Sequence, residues 1–173
     1  AITDHGVMYG VIDFYKEAKA NGIKPILGCE VYVSPSSRFE KQAKQGDRYY
    51  HLILLAKNNK GYENLTKLVS KGFTEGFYYK PRVDFELLEE YHEGIIACLA
   101  GEIPKLISRG REDDAIKAAK KYRDLFGEDS FYLELQNHGI PEQKYVNQVL
   151  MKIGKTLDIP MVATNDIHYI NAE

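Results

Sequence analysis

The chain has 173 residues, 44% of them hydrophobic and 28% charged, which is the composition of one ordinary globular domain. Its 23 basic and 25 acidic residues give a net charge of −2, which argues against an autonomous DNA-binding module because such modules carry a basic excess. No apolar run reaches membrane-spanning length, and two cysteines, Cys29 and Cys98, do not make a disulfide framework. These features predict a cytoplasmic protein that has no membrane partner.

Hydrophobic periodicity predicts strands that alternate with helices along the chain. Predicted strands cover residues 1–3, 26–33, 50–56, 95–98, 131–135 and 161–163. Predicted helices run from residue 7 to about 20, through 59–69, and over 84–91, 103–108, 112–126 and 141–157. Residues 34–48 form a polar excursion and residues 74–82 an aromatic loop. The chain enters its first strand at Ala1 without a lead-in, so we expect a piece of something longer.

Short apolar strands joined by helices predict a parallel sheet covered by helices. Six such strands suit a barrel that has lost its opening strand, and an open doubly wound sheet is the alternative. No Gly-rich dinucleotide loop follows any strand, which counts against the alternative. In either case functional groups gather at the carboxyl ends of the strands.

Metal-type side chains recur at the ends of the predicted strands. The strongest example is the last strand, 161–163, which runs into Asp166 and His168; in extended backbone, side chains two residues apart point to the same side. The full set is His5, Glu30, His51, Cys98, Asp166 and His168. Singly, each residue has an ordinary explanation, such as a helix cap, a buried ion pair, a satisfied core histidine or a small buried hydrophobe.

Together, these six side chains predict a metal centre, because a cation is the most economical partner for converging buried carboxylates and imidazoles. Imidazole and thiolate donors favour zinc, while carboxylates with imidazole also suit manganese or iron. More than four ligands implies two or three divalent ions, and paired ions suit phosphate ester hydrolysis. Cys29 alternates with Glu30 and should pack against the helices. His138 follows the fifth strand and is a candidate substrate contact.

Five segments of the sequence carry a family resemblance. They are residues 2–6 (ITDHG), 28–30 (GCE), 50–52 (YHL), 97–102 (ACLAGE) and 163–169 (ATNDIHY). In this order they resemble the successive motifs of the PHP (polymerase and histidinol phosphatase) domain. Residues 22–26 (GIKPI), 30–33 (EVYV) and 73–81 (FTEGFYYKP) narrow the resemblance to the PHP domain of bacterial replicative DNA polymerase III alpha subunits. The resemblance spans essentially the whole chain.

This resemblance implies a distorted (β/α)7 barrel, incomplete at its N-terminus, that fills residues 1–173 as a single domain. It also implies a trinuclear centre, usually of zinc, whose ligands fall on the six residues named above. Of these, the catalytic roles fall on His5, His51, Asp166 and His168. The family's first motif, an H-x-H, should precede Ala1 and is absent from this sequence.

The function implied is that of a piece of a DNA-directed DNA polymerase whose PHP domain is a metal-dependent 3′–5′ proofreading exonuclease. Its partners would be DNA, the rest of the alpha chain and other replisome subunits. Two alternatives stay open: a stand-alone PHP phosphoesterase for a small phosphomonoester, and a non-catalytic scaffold that stabilises the polymerase. On its own, the excised chain is expected to be inactive.

Basic side chains in two loops are candidates for contact with DNA phosphates or with the polymerase body. Arg38, Lys41, Lys44 and Arg48 lie in the polar excursion, and Lys80 and Arg82 lie in the aromatic loop. Tyr78 and Tyr79 are available there for stacking. The ordinary interpretation is that both loops are simply solvated.

Overall fold

The fold is a mixed sheet with helices against one face. The computed structural model describes residues 1–41, 48–99 and 101–169 of the chain. Lys44 of the predicted basic loop lies outside the described residues. The strands are β1 (Gly28–Val33), β2 (Tyr50–Ala56), β3 (Arg82–Val83), β4 (Ile95–Leu99), β5 (Phe131–Gln136) and β6 (Met161–Thr164). The helices are α1 (Val11–Ala20), α2 (Asn59–Thr74), α3 (Phe85–Tyr91), α4 (Glu102–Ser108), α5 (Glu112–Phe126) and α6 (Pro141–Leu157).

The six strands form one sheet in the order β3-β1-β2-β4-β5-β6. β1 pairs in parallel with β3, and β4, β5 and β6 are parallel to one another. β2 is antiparallel to both of its neighbours, so the expectation of a wholly parallel sheet was wrong. The apolar run that marks β2 carries no information about strand direction. Among the described residues the sheet does not close, and β3 and β6 form its edges.

The direction of β2 decides where the candidate ligands meet. In the β1–β2 register Tyr32 faces His51, so the start of β2 lies beside the end of β1. Cys98, near the end of β4, faces Ile53 of β2. His51 therefore reaches the edge of the sheet at which the parallel strands end, although it opens its own strand.

The N-terminal segment runs alongside β1. Ile2 forms a parallel bridge with Leu27, and His5 forms one with Glu30. The backbone N–H of Glu30 donates to the Asp4 carbonyl at 3.1 Å, and that of Gly6 donates to the Glu30 carbonyl at 2.9 Å. The predicted first strand is thus present as isolated bridges, and they place His5 beside Glu30.

The two faces of the sheet carry different sets of side chains. One face packs under the helices and forms the core with Cys29, Val31, Val33, Leu52, Leu54, Ala97, Leu99, Phe131 and Leu133. The packing expected for Cys29 is therefore confirmed. Because side chains alternate along a strand, the opposite face carries Glu30, His51 and Cys98. We call this the polar face, although Ile53 and Leu55 also lie on it.

Some element boundaries differ from the predictions. α2 is capped by Asn58 rather than Asn59, since the Asn58 side chain accepts the backbone N–H of Gly61 at 2.9 Å. α1 begins at Val11, several residues later than periodicity predicted. The sequence did not predict β3, because two residues are too few to show a period.

Candidate metal centre

Three of the predicted ligands form a compact cluster. The donor atoms offered by His5, Glu30 and His51 all lie within 4.8 Å of one another. His5 Nδ1 lies 3.5 Å from Glu30 Oε2, and His51 Nδ1 donates to Glu30 Oε1. One glutamate thus uses its two oxygens toward two different imidazoles.

Electrostatics favours the ionised form of Glu30. Burial alone would raise the pKa of this carboxyl, which is only 8% exposed. The hydrogen bond from His51 and the charges of His51, His5 and His168 outweigh the burial, so the pKa of Glu30 lies below its ordinary value. The cluster therefore presents a carboxylate flanked by nitrogen donors.

The remaining predicted ligands line the same concavity. A cavity of about 530 Å³ is bordered by His5, Glu30, Cys98, Asp166 and His168. The rings of His5 and His168 are 5.2 Å apart between centroids. His51 lines an adjoining cavity of about 210 Å³ together with Glu30 and Asp166. All six predicted ligands therefore come together at one edge of the polar face.

The loop after β6 differs from the extended geometry that the sequence pattern suggested. Asp166 has a φ of 48°, in the left-handed region. His168 Nδ1 lies 2.8 Å from the Asp166 carbonyl oxygen and 3.7 Å from its Oδ1. The reasoning from alternation was thus wrong, although Asp166 and His168 both still line the cavity.

Cys98 is a protected thiol in this arrangement. Its side chain is buried, and burial followed by the charge of Glu134 raises the pKa of the thiol to about 11. Only a nearby cation would make a thiolate at neutral pH here. Cys98 therefore fits a metal ligand better than a nucleophile.

Glu134 is a functional candidate that the sequence analysis missed. It lies in β5, is 3% exposed and borders the large cavity with Cys98 and Asp166. Burial raises its pKa, hydrogen bonds from Thr164 and Gln136 oppose the rise, and the charges of Asp166 and Glu30 add to it. Glu134 directly follows a buried residue in a strand, a pattern that does not by itself indicate a function. Only its position on the polar face of the sheet could have indicated a functional role.

Arg38, a candidate DNA contact, lies instead in a buried ion cluster. Its guanidinium donates to Glu75 at 2.7 Å and to Asp84 and Glu86 at 2.9 Å. The residue is 7% exposed, and Asp84 is 2% exposed. These contacts occupy the guanidinium with carboxylates and indicate that Arg38 holds the loop after β1 against the start of α3.

Arg82 is similarly engaged within the protein. It is 3% exposed and donates to the carbonyls of Gly76, Arg38 and Glu40 at 3.1, 3.1 and 2.8 Å. Gly76 is required there, because a Cβ on it would lie 1.8 Å from the Arg82 carbonyl oxygen. Arg82 therefore shapes the aromatic loop.

Lys80 and His138 lie closer to the candidate centre. Lys80 Nζ lies 5.5 Å from the ring centroid of Tyr32, and that ring is 5.2 Å from the His51 ring. His138 Nε2 lies 3.1 Å from the Asn165 carbonyl oxygen, directly before Asp166. Lys80 thus lies against the ring that packs beside His51, while His138 supports the loop that carries two of the predicted ligands, Asp166 and His168.

Fold and site together define a class: a mixed α/β domain that gathers imidazole, carboxylate and thiol side chains at one edge of its sheet. Among the described helices, none is long and apolar enough to cross a membrane. The sequence matches the PHP domain family over residues 1–138. The chain therefore belongs to the PHP domain family.

Individual relatives resemble the chain over its whole length. DNA polymerase III subunit alpha of Treponema pallidum is 51% identical over 177 residues, and that of Borreliella burgdorferi is 52% identical; each alignment covers 100% of this chain and 15% of the relative. The Thermus aquaticus subunit is 48% identical, again over 100% of this chain and 14% of the relative. The chain thus spans about a seventh of the length of these polymerase subunits.

Proposed function

We propose that this chain is the PHP domain of a DNA polymerase III alpha subunit, and that its cavity binds divalent cations and hydrolyses phosphodiesters as a 3′–5′ exonuclease. The similarity to three such subunits across the whole chain supports the parent protein. In this proposal residues 1–173 act as a single domain in a cytoplasmic replication protein. DNA and the rest of the alpha chain are its partners.

The observation that carries the proposal is the convergence of the His5, Glu30 and His51 donor atoms within 4.8 Å of one another. The buried Glu30 carboxylate lies between two imidazoles, and the Cys98 thiol, Asp166 and His168 line the same cavity as Glu30. This set of donors fits a divalent cation. The mixture of nitrogen, oxygen and sulfur donors suits zinc, with manganese or iron as alternatives. Six ligands suit two to three ions.

In the proposed mechanism the protein positions both the cations and the substrate. A bound divalent cation supplies Lewis-acid activation of the phosphoryl group and of the attacking water. Glu30 holds the centre together, since its two oxygens face His5 and His51. Asp166 and His168, which line the same cavity, would add a carboxylate and an imidazole to the set that holds the cations. Lys80, whose Nζ lies 5.5 Å from the ring centroid of Tyr32, the neighbour of His51, would bind a phosphate of the incoming strand.

A scaffold function is the second candidate, and one observation favours it. Phe77 and Tyr79 in the aromatic loop are 52% and 61% exposed, and they would be covered by a docked neighbour. The stand-alone phosphomonoesterase is less well supported, because the relatives named above are polymerase subunits about seven times longer than this chain.

The test compares metal content and nuclease activity in the intact polymerase subunit. His51→Ala and Asp166→Ala should each lower bound metal and reduce release of nucleotides from a 3′ end. Metal that is bound without nuclease activity in the wild type would favour the scaffold. Activity confined to small phosphomonoesters would favour the stand-alone enzyme, and unchanged metal in both variants would overturn the ligand assignment.

A further inference from the structure

Glu134 carries a buried carboxylate oxygen that the described part of the protein leaves without a partner. The side chain is 3% exposed, and its Oε2 atom makes no hydrogen bond to any described residue. Buried polar atoms are nearly always paired, and an unpaired one calls for an explanation. Burying a charged oxygen without a compensating partner is energetically costly.

The hydrogen bonds of Glu134 fix the orientation of this free oxygen. Thr164 Oγ1 donates to Oε1, and Gln136 Nε2 donates to the same atom at 3.2 Å. Both donors therefore hold one oxygen of the carboxylate and leave Oε2 without a hydrogen-bond partner in a residue that lines the cavity. A carboxylate held in this way is suited to bind a cation through one oxygen.

The register of the sheet places this oxygen among candidate ligands. Cys98 faces Tyr132 across β4 and β5, and Glu134 lies two residues further along the same face. Glu134 itself faces Val162 of β6, the strand that leads to Asp166. Glu134, Cys98 and Asp166 accordingly border one cavity.

The cavity contains acidic side chains but no basic side chain of Lys or Arg to balance them. Its described lining includes Asp4, Glu30, Glu134 and Asp166, whereas no Lys or Arg is among these described lining residues. This contrasts with the Arg38 cluster, where the protein supplies its own cation. No Lys or Arg of the described lining balances Glu134, so its carboxyl takes up either a proton, as the raised pKa favours, or a cation that enters the cavity.

We propose that Glu134 binds a divalent transition-metal cation through Oε2, at the β4–β5–β6 end of the cavity beside Cys98 and Asp166. This position is distinct from the His5–Glu30–His51 cluster, and Glu134 lies outside the ligand set that the family resemblance implies. The inference rests on the proposed metal centre and extends it by one ligand. The mixed oxygen and sulfur donors match zinc, with manganese as the second choice.

The experiment measures cation binding by the intact protein, so it does not depend on activity. Metal-free protein is titrated with Zn²⁺ and separately with Mn²⁺, and both bound metal and melting temperature are recorded. Glu134→Gln keeps the shape of the side chain and an oxygen for Thr164, but removes the charge. We expect it to weaken binding of one cation by at least about 10-fold and to reduce the rise in melting temperature on cation addition.

A matched control is Glu102→Gln. Glu102 is also a partly buried glutamate, but its carboxylate accepts the Tyr122 hydroxyl at 3.2 Å and lies outside both cavities. This variant should bind cations as the wild type does. Glu134→Asp, which keeps the charge but withdraws the oxygen, should weaken binding as well, and it decides the matter if Glu134→Gln folds poorly.

The outcomes separate the inference from the function on which it rests. If the wild type binds no cation, the proposed metal centre itself fails. If the wild type binds cations and both Glu134 variants bind them equally well, the role of Glu134 is overturned and the metal centre stands. Loss of nuclease activity with unchanged cation binding would also overturn the inference, because Glu134 would then act on substrate.

Discussion

Two buried carboxylates in this protein, Asp84 and Glu30, are compensated in different ways. Asp84 accepts two hydrogen bonds from the Arg38 guanidinium, one from the Arg38 backbone N–H and one from the Leu87 N–H. Glu30 meets the imidazoles of His5 and His51. The first site contains a permanent cation within the chain, whereas the second contains only groups that can also serve as metal ligands.

The Arg38–Asp84 pair therefore contributes to the stability of the fold, whereas the cluster around Glu30 belongs to the proposed function. Breaking a buried pair such as Arg38–Asp84 strands a charge and destabilises the fold. The cavity instead gathers carboxylates with no Lys or Arg among its described lining residues, and in the proposed function a cation supplies the positive charge. The two regions should therefore respond to substitution in different observables.

Arg38→Met should have the largest effect on stability. Removing the guanidinium strands Asp84 and should lower the free energy of unfolding by about 3–5 kcal/mol. For a chain of this size that corresponds to a fall in melting temperature of about 6–20 °C. Arg111→Met is the control, since its pair with Asp114 is exposed and should contribute little to stability. A large loss of bound metal with normal stability would contradict the comparison.

Glu30→Gln should have the opposite signature. We expect cation affinity to fall by more than about 100-fold, because substitutions behind a ligand already cost 10–100-fold. Stability of the metal-free protein should fall by less than in Arg38→Met, since the amide oxygen can still accept the hydrogen bond from His51. Isothermal titration with Zn²⁺ measures the affinity, and chemical unfolding in chelator measures the stability. Retained affinity would remove Glu30 from the ligand set.

The Arg38 cluster should also give a pH dependence of defined sign. The hydrogen bond from Lys71, followed by that from Arg38, lowers the pKa of Glu75 below its ordinary value of 4.5. A lowered pKa in the folded state contributes stability that is present above pH 4.5 and is lost as the pH falls further. The stability difference between wild type and Arg38→Met should therefore shrink between pH 5 and pH 3 in urea unfolding. A difference that grows on acidification would have the wrong sign.

His138→Ala should have the smallest effect of these variants. It removes the contact of Nε2 with the Asn165 carbonyl, which is worth about 1 kcal/mol. Because that contact supports the loop before Asp166, cation affinity should fall about 10-fold or less. His138→Gln, which can donate a similar hydrogen bond, should recover part of the loss. Unchanged cation affinity would show that His138 does not support the loop before Asp166.

Most of the fold could be predicted from the sequence because its core elements have clear periods. The run 50–56 and the helix 141–157 were predicted with the bounds later found. The direction of β2 could not be predicted, since an apolar run looks the same in either direction. β3 was missed because two residues show no period.

The site was predictable where residue type alone carried the signal. His51 and Cys98 stand out in apolar strands, and the structure brings them to one edge with Glu30. The roles of Arg38 and Glu134 could not be predicted from the sequence, because they depend on burial and on contacts with residues distant in the sequence. From the sequence, an arginine in a loop is a candidate DNA contact, and only the structure shows that Arg38 is paired with Asp84. Likewise, the sequence suggests that Glu134 is an exposed strand residue, and only the structure shows that its Oε2 is buried.

Thermal melting of the intact protein with and without Zn²⁺ tests the central claim most directly. The wild type and Arg38→Met should melt at different temperatures in chelator, yet both should gain the same number of degrees on adding the cation. Glu30→Gln should gain little, because its cavity lacks the carboxylate that holds the cation. A wild type whose melting temperature ignores Zn²⁺, or a Glu30→Gln variant that gains as much as the wild type, would contradict the account.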